Sequence, residues 1–239
     1  MKSAVLIQAR SSSVRLPGKI FARLPAPSGK ELILHVFDRA REALTDAVLA
    51  VPENDEALGA FCKEKNLPFL VGPEMDVRQR YRMAARKLDC QWVVRATGDN
   101  PCIDVAIVKE SMDRAQELDA DLFSFRNLPL GCAVEIFKTK ALNDDSFPAS
   151  PDDLEHVSLH IKRHPEHFRV VHEDHSIMLP FGDSKPRLTV DTQEDLDVVR
   201  GVFASLGDSF GVTEVMRLFQ KSPEIFQANS QIRQIVPGK

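Results

Sequence analysis

Four short runs, Ala4-Val5-Leu6-Ile7, Ala47-Val48-Leu49-Ala50-Val51, Pro68-Phe69-Leu70-Val71 and Gln91-Trp92-Val93-Val94, show no alternation of apolar with polar residues. Successive side chains of a strand point to opposite faces, so a half-solvated strand alternates. A run apolar on both faces must be covered on both, as in a parallel sheet with helices above and below. The intervening stretches fit that role. In Glu31–Leu44, the residues Leu32, Ile33, Val36, Phe37, Ala40 and Leu44 fall on one helical face. Asp104–Leu118 repeats the spacing with Ile107, Val108, Met112, Ala115 and Leu118, and Gln193–Leu206 with Leu196, Val199, Val202, Phe203 and Leu206. The alternation predicts an α/β domain. Beyond Gly131 the order is less regular, so part of the sheet is expected to be mixed. Arg187–Val190 reads as one more short strand, and the tail from Ser222 as a short helix.

The 239 residues suit one domain, and Asn143–Asp153 reads as a long loop within it. With 31 Lys and Arg against 35 Asp and Glu, the chain has no basic excess to grip a nucleic-acid backbone. No apolar run approaches the roughly twenty residues of a membrane span. The apolar run before Gln8 is too short for a secretory signal and reads as the first strand. Cys62, Cys90, Cys102 and Cys132 have neither C-x-x-C spacing nor a partner-like pattern, which suggests reduced thiols in a cytoplasmic protein.

Three segments carry candidate chemistry. The first strand runs into Arg10-Ser11-Ser12-Ser13-Val14-Arg15-Leu16-Pro17-Gly18-Lys19, with three cations and three hydroxyls. Such a loop, at the carboxyl end of a first parallel strand, stands where α/β sheets bind ligands. Guanidinium forks, an ammonium and the serine donors suit a polyphosphate. An ordinary solvated basic loop is the plainer alternative. Neither G-x-x-x-x-G-K-[ST] nor G-x-G-x-x-G occurs, so P-loop and dinucleotide-binding readings lose their fingerprint. Arg95-Ala96-Thr97-Gly98-Asp99-Asn100-Pro101 follows a strand and places Asp99 where a divalent cation could be held. In Lys185–Leu196, Asp191 is open to two readings, a helix N-cap or a second metal carboxylate.

Two other patterns weigh less. Twenty aspartates predict about one or two Asp-x-Asp pairs by chance, so Asp119-Ala120-Asp121 and Asp195-Leu196-Asp197 are weak as metal sites. His156, His160 and His164 recur every four residues and would share one face of a helix, more simply a polar face or subunit contact than a zinc site.

Taken in order, the segments resemble the cytidylyltransferase family, including the spore-coat-polysaccharide-type enzymes and, more distantly, the acylneuraminate and 3-deoxy-manno-octulosonate cytidylyltransferases. The pieces are Gln8-Ala9-Arg10 through Arg15-Leu16-Pro17-Gly18-Lys19, Asp76-Val77 with Arg80-Tyr81, Val94–Pro101 with Ile103-Asp104, Pro129-Leu130-Gly131 with Glu135-Ile136-Phe137, Glu155-His156-Val157, and Arg187–Thr192. The resemblance implies a nucleotide-diphosphosugar-transferase-like fold, a three-layer α/β/α sandwich with a mixed, mostly parallel sheet. It implies one domain over 1–239, with room for a small sugar-binding or dimerisation subdomain around 125–180. It implies attack of a sugar hydroxyl on the α-phosphate of CTP, giving a CMP-sugar and pyrophosphate, in a Mg-dependent cytoplasmic homodimer. By position, Arg10, Arg15 and Lys19 would hold the triphosphate, with Gln8, Ala9, Arg80 and Thr97 on the nucleotide. Asp99 and Asp191 would bind Mg, and Gly131 and Glu135 would serve the sugar. Arg10, Lys19 and Asp99 would be catalytic. Ala133 stands where the family often has an acidic residue, and Arg78 where it often has an aliphatic one. Another nucleotide base, a sugar 1-phosphate acceptor or a catalytically silent homologue remain as alternatives.

Overall fold

The computed structural model describes residues 1–234. Strand β1 (Ser3–Gln8) lies mid-sheet and feeds the basic loop, which closes in a 3-10 turn at Lys19–Phe21. Then follow the short pair β2 (Arg23–Leu24) and β3 (Lys30–Glu31), α1 (Leu32–Ala43), β4 (Ala47–Pro52), α2 (Glu56–Glu64), β5 (Phe69–Gly72), α3 (Val77–Leu88) and β6 (Trp92–Thr97). The second half comprises α4 (Val105–Glu117), β7 (Leu122–Phe125), β8 (Glu135–Lys138), α5 (Thr139–Leu142), α6 (Pro151–Glu155), α7 (Leu159–Arg163), β9 (Val170–Glu173), α8 (Gln193–Leu206) and α9 (Val212–Lys221).

The seven-stranded sheet runs β5-β4-β1-β6-β8-β7-β9, and every neighbouring pair is parallel except the two made by β8. One apolar core lies between the sheet and α1, α2, α4, α8 and α9, through residues such as Ile7, Val36, Ile107 and Val199. The other lies under α3, α5 and α7, through Leu6, Tyr81, Phe137 and Ile161. The result is the expected three-layer mixed α/β sandwich. From β1 the chain moves outward to β4 and β5, then returns to pair β6 on the other side of β1. The direction reverses there, and the crevice between the carboxyl ends of β1 and β6 is where such sheets bind ligands. Gly98 fits that crevice closely: a Cβ would stand 2.8 Å from Ala9 Cβ.

Three expectations need correction. Arg187–Val190 is not a strand; it makes a single bridge, Leu130 to Arg187, because Leu188 N–H donates to Leu130 O and Val190 N–H to Asp99 O, so it spans two loops. His156, His160 and His164 share no helix face. The chain breaks after Glu155 to turn Val157 into the core and Ser158 toward Glu135, then restarts at Leu159. His160 is buried against Ala141 O, and burial pushes its pKa down to about 4. The Ser11 N–H and hydroxyl, expected to serve a phosphate, both donate to Asp55 at 2.6 Å. The tail forms a 3-10 turn at Pro223–Phe226. Arg78 is buried, and its guanidinium donates to Leu142 O and Asp144 O, stitching α3 to the end of α5 and the chain that follows.

Candidate active site

Lys19 is the centre of the crevice. Gly18, at φ 69°, turns the basic loop into the 3-10 turn, so Lys19 points inward and is 9% exposed. Its ammonium donates to Asp99 Oδ2 at 3.0 Å, Asp191 Oδ1 at 3.0 Å and Val190 O at 2.6 Å, which uses all three hydrogens. The two carboxylate oxygens, each 3.0 Å from one nitrogen, lie no more than 6.0 Å apart. Sequence segments over ninety positions apart therefore converge as expected. Arg15 reaches Asp191 Oδ1 at 2.9 Å, while Arg187 takes Oδ2 at 2.7 Å. Burial would raise the Asp191 carboxyl, but Lys19, Arg15 and Arg187 outweigh it and hold it below the ordinary carboxylate range.

The helix that follows fixes Asp191. Thr192, not Asp191, is the N-cap of α8, in a reciprocal capping box with Asp195. Asp195 is fully buried; it accepts from the Asp191 and Thr192 N–H groups, from Arg187 and from Asn229. Its carboxylate is thus spent on holding the Asp191 turn. Gly131, at φ 98°, lets the 129–132 loop touch this segment; a Cβ would meet the Leu188 carbonyl carbon and Thr189 N at 2.7 Å.

On the other side of the crevice, Gln8 Oε1 accepts from Arg95 Nε at 3.3 Å and Nη2 at 3.2 Å. Arg95 Nη1 donates to Glu135 Oε2 at 3.2 Å, Ser158 Oγ donates to the same oxygen at 2.6 Å, and Lys162 pairs with Oε1. Burial opposes the charge of Glu135, yet Arg95 and Lys162 hold its pKa at about 2. Ala9 is buried at the foot of the loop, and Thr97 ends β6, level with Gln8. Arg10 is exposed. Arg80 is buried, gives Nη1 to Pro73 O at 2.9 Å and leaves Nε without a partner; its burial, with Arg10 close by, lowers its pKa.

Among the described residues, no group of three or more His, Cys, Asp or Glu side chains forms a metal cage. Asp99 and Asp191 form a pair of hard oxygen donors, which suits a small divalent cation that completes its shell with water and substrate phosphates. Four contributors escaped the sequence reading: Asp55, which holds the basic loop and caps α2, and Arg187, Asp195 and Arg95. Arg95 and Arg187 each sit in a quoted motif, which was the available signal.

A cytidylyltransferase family model matches residues 4–230. The spore coat polysaccharide biosynthesis protein SpsF of Bacillus subtilis is 27% identical over 92% of this chain and 94% of its own length. The 3-deoxy-manno-octulosonate cytidylyltransferase of an Anaeromyxobacter species is 38% identical over 48% of this chain and 46% of its own. Among solved structures, a cytidylyltransferase from Leptospira borgpetersenii superposes with a TM-score of 0.86 at 26% identity, covering 99% of both chains. A CMP-2-keto-3-deoxy-manno-octonic acid synthetase complexed with CTP gives 0.64 at 17% identity over 86% of this chain and 99% of its own. A Mycobacterium tuberculosis protein solved with manganese gives 0.59 at 14%, over 84% and 99%. No helix among the described residues is long and apolar enough to cross a membrane. A family model that takes in both carboxylate segments and the basic loop settles the kinship: this chain belongs to the cytidylyltransferase family.

Proposed function

We propose that the protein transfers the cytidylyl group of CTP to a hydroxyl of a sugar acid, giving a CMP-sugar and pyrophosphate for surface polysaccharide synthesis. The observation that carries this reading is the meeting of Asp99 and Asp191 on Lys19, beside the basic loop and at the switch point of the sheet. The named roles of the Bacillus and Anaeromyxobacter relatives support sugar activation, and the CTP-bound relative supports the nucleotide.

In this reading Arg10, Arg15 and Lys19 bind the triphosphate, with Gln8, Ala9, Arg80 and Thr97 around the cytidine. Gly131 and Glu135 serve the acceptor side. The acceptor oxygen forms a bond to the α-phosphorus as its hydroxyl proton passes to solvent, and the bond from the α-phosphorus to the oxygen bridging it to the β-phosphate breaks, so negative charge builds on the leaving pyrophosphate. Cations fixed beforehand stabilise that charge, and losing one such contact typically costs about a hundredfold or more in rate. A loop held by Asp55 keeps the phosphates in line with the incoming oxygen. A Mg ion held by Asp99 and Asp191 would add positive charge to the phosphate oxygens and orient them; the manganese-bound relative supports a divalent ion. We further propose a cytoplasmic homodimer, each chain one domain whose 125–180 segment serves the sugar or the dimer; four free, buried thiols suit a reducing compartment.

The test is pyrophosphate release from each nucleoside triphosphate, with Mg and a panel of sugar acids. Release with CTP is expected. Silence with every acceptor overturns the transfer, and release with UTP or ATP alone overturns the base. Asp99→Asn should lower turnover by about a hundredfold or more with the fold intact by circular dichroism; near-normal turnover removes Asp99 from the metal site.

A further inference from the structure

The two edges of the sheet are finished differently. Edge strand β9 carries His172 and Glu173, and Glu173 is gripped by Arg114 at 2.6 and 3.1 Å. Charge on an edge deters another strand from adding to it. Edge strand β5 is Phe69-Leu70-Val71-Gly72, with no charge, no proline and no bulge within it. A strand in a parallel ladder turns alternate residues toward each neighbour. Pro68 O and Gly72 O accept from the β4 side, from Leu49 N–H and Glu53 N–H. Phe69 and Val71 therefore turn their N–H and C=O groups outward.

Apolar side chains accompany that open edge. Val71 is 48% exposed, Met83 43% and Met75 81%. Phe69, Leu70, Val71, Met83 and Lys87 line an open cavity of about 360 Å³ beside the strand. Met75 lies past the carboxyl end of β5, in a turn that is held in place. Arg80 Nη1 donates to Pro73 O and Glu74 O there, and Asp76 caps α3. Charge is divided along the same axis. Lys63 at the end of α2 and Lys87 at the end of α3 stand toward the amino end of β5, exposed and without an ion pair among the described residues. Glu53 and Glu74 are exposed toward its carboxyl end, where Glu53 N–H closes the ladder on Gly72 O.

We infer that the β5 edge is an interface with a second copy of this chain, the two strands running antiparallel across a two-fold axis at Leu70. The outward groups of Phe69 then exchange hydrogen bonds with those of Val71 in the second copy, and the reverse. The same axis brings Met75 of one copy toward the cavity of the other, and sets the lysine end of each strand against the glutamate end of its mate. A surface that a two-fold axis makes complementary to itself is what an isologous dimer requires. Pairing consumes both β5 edges while the charged β9 edges stay apart, so growth stops at two chains. The inference rests on the homodimer reading, and moves that dimer from the 125–180 segment to the opposite edge of the sheet.

Sedimentation equilibrium of the full chain across micromolar concentrations tests it. The wild type should sediment at twice the chain mass. Val71→Lys puts an unpaired charge into the centre of the interface and should raise the dissociation constant by about a hundredfold, with an unchanged circular dichroism spectrum. Lys87→Glu and Glu74→Lys should each weaken the dimer a few-fold, the scale of an exposed ion pair, and the double variant should recover the loss. The rescue decides the matter even if Val71→Lys folds poorly, because both of its positions are exposed. A monomeric wild type overturns the inference and the homodimer reading together. A dimer indifferent to Val71→Lys, or charge reversals whose losses simply add, overturns the inference alone and returns the dimer to another surface. Neither outcome touches cytidylyl transfer, which pyrophosphate release tests separately.

Discussion

Two charged regions flank the end of β1, and they are built in opposite ways. Lys19 gathers partners 80, 171 and 172 positions away, all from loops, on a single nitrogen. The Arg95–Glu135 strip instead joins residues on neighbouring strands, placed by backbone ladders that run the length of the sheet. A loop-built charge cluster depends on a few small contacts: the close approach of Gly131, the bond from Val190 N–H to Asp99 O, and the Asp195 cap. A sheet-built one spreads the same task over many backbone hydrogen bonds. Perturbations of similar size should therefore do more harm around Lys19 than along the strip.

The sharpest contrast comes from the ammonium itself. Lys19→Met leaves Asp99 and Asp191 facing each other without the cation they share, so that Asp191 keeps only Arg15 and Arg187 and Asp99 loses its ion-pair partner. Breaking a buried ion pair costs about 3–5 kcal/mol, and the low end applies because Asp99 is 27% exposed. The melting temperature should fall by several degrees and turnover by about a hundredfold or more. Added Mg should raise the melting temperature of the variant more than that of the wild type, because the pair then gains a cation it otherwise lacks. A variant as stable as the wild type would break the comparison at its strongest point.

A methyl group gives the next test. Gly131→Ala forces a side chain at φ 98° against the Leu188 and Thr189 backbone, where no flexible atom can yield. Backbone strain of this kind costs about 1–3 kcal/mol. It should also lower turnover by shifting Asp191 relative to Lys19. Ser124→Ala, a change of similar size on strand β7 next to β8, should change the melting temperature much less. Equal losses in chemical denaturation would mean that strand register protects nothing.

The pH dependence of Glu135 sharpens the same point. Its folded pKa of about 2 lies below its unfolded value near 4.5, so its charge stabilises the fold fully above pH 4.5. That contribution is lost as pH falls from about 4.5 through 2. Glu135→Gln retains acceptance from Ser158 but gives up the charge that pairs with Arg95 and Lys162, so it should lower stability near neutrality. Its denaturation midpoint should then fall less steeply than that of the wild type between pH 4.5 and 2. Parallel curves would mean that the carboxyl is not held charged by Arg95 and Lys162.

The same division explains how much the sequence disclosed. β1, β4, β5, β6, α1, α4 and α8 were legible because their signal is local periodicity, and each falls within a residue or three of its expected bounds. Helix α3 was not, since Arg78, Arg80, Arg82 and Arg86 mask the stripe of Val77, Tyr81, Ala84 and Ala85. The histidine spacing looked helical, but Val157 and Ser158 gain more by turning inward than by continuing the helix. Asp99 and Asp191 stood out by position and resemblance. Asp195 lay in a pair too common to trust, and Asp55 in a stretch with no chemical pattern, because holding a loop requires only a carboxylate at the right place in space.

The smallest effect should come from that loop. Ser11→Ala removes the hydroxyl bond to Asp55 Oδ1 but keeps the N–H bond to Oδ2, and Asp55 still caps α2 through Leu58 N–H at 3.0 Å. One such hydrogen bond contributes about 0.5–1.5 kcal/mol. Asp55→Ala removes both loop bonds and the cap, so it should cost more than Ser11→Ala by about a further 1 kcal/mol. In the kinetics, Ser11→Ala should raise the KM for CTP a few-fold at unchanged kcat, because a looser loop binds the triphosphate less well while Lys19 keeps its position. A fall in kcat with KM unchanged would instead place Ser11 in the rate-determining step, and the basic loop would then belong with Lys19 as a part of the site that cannot tolerate small losses.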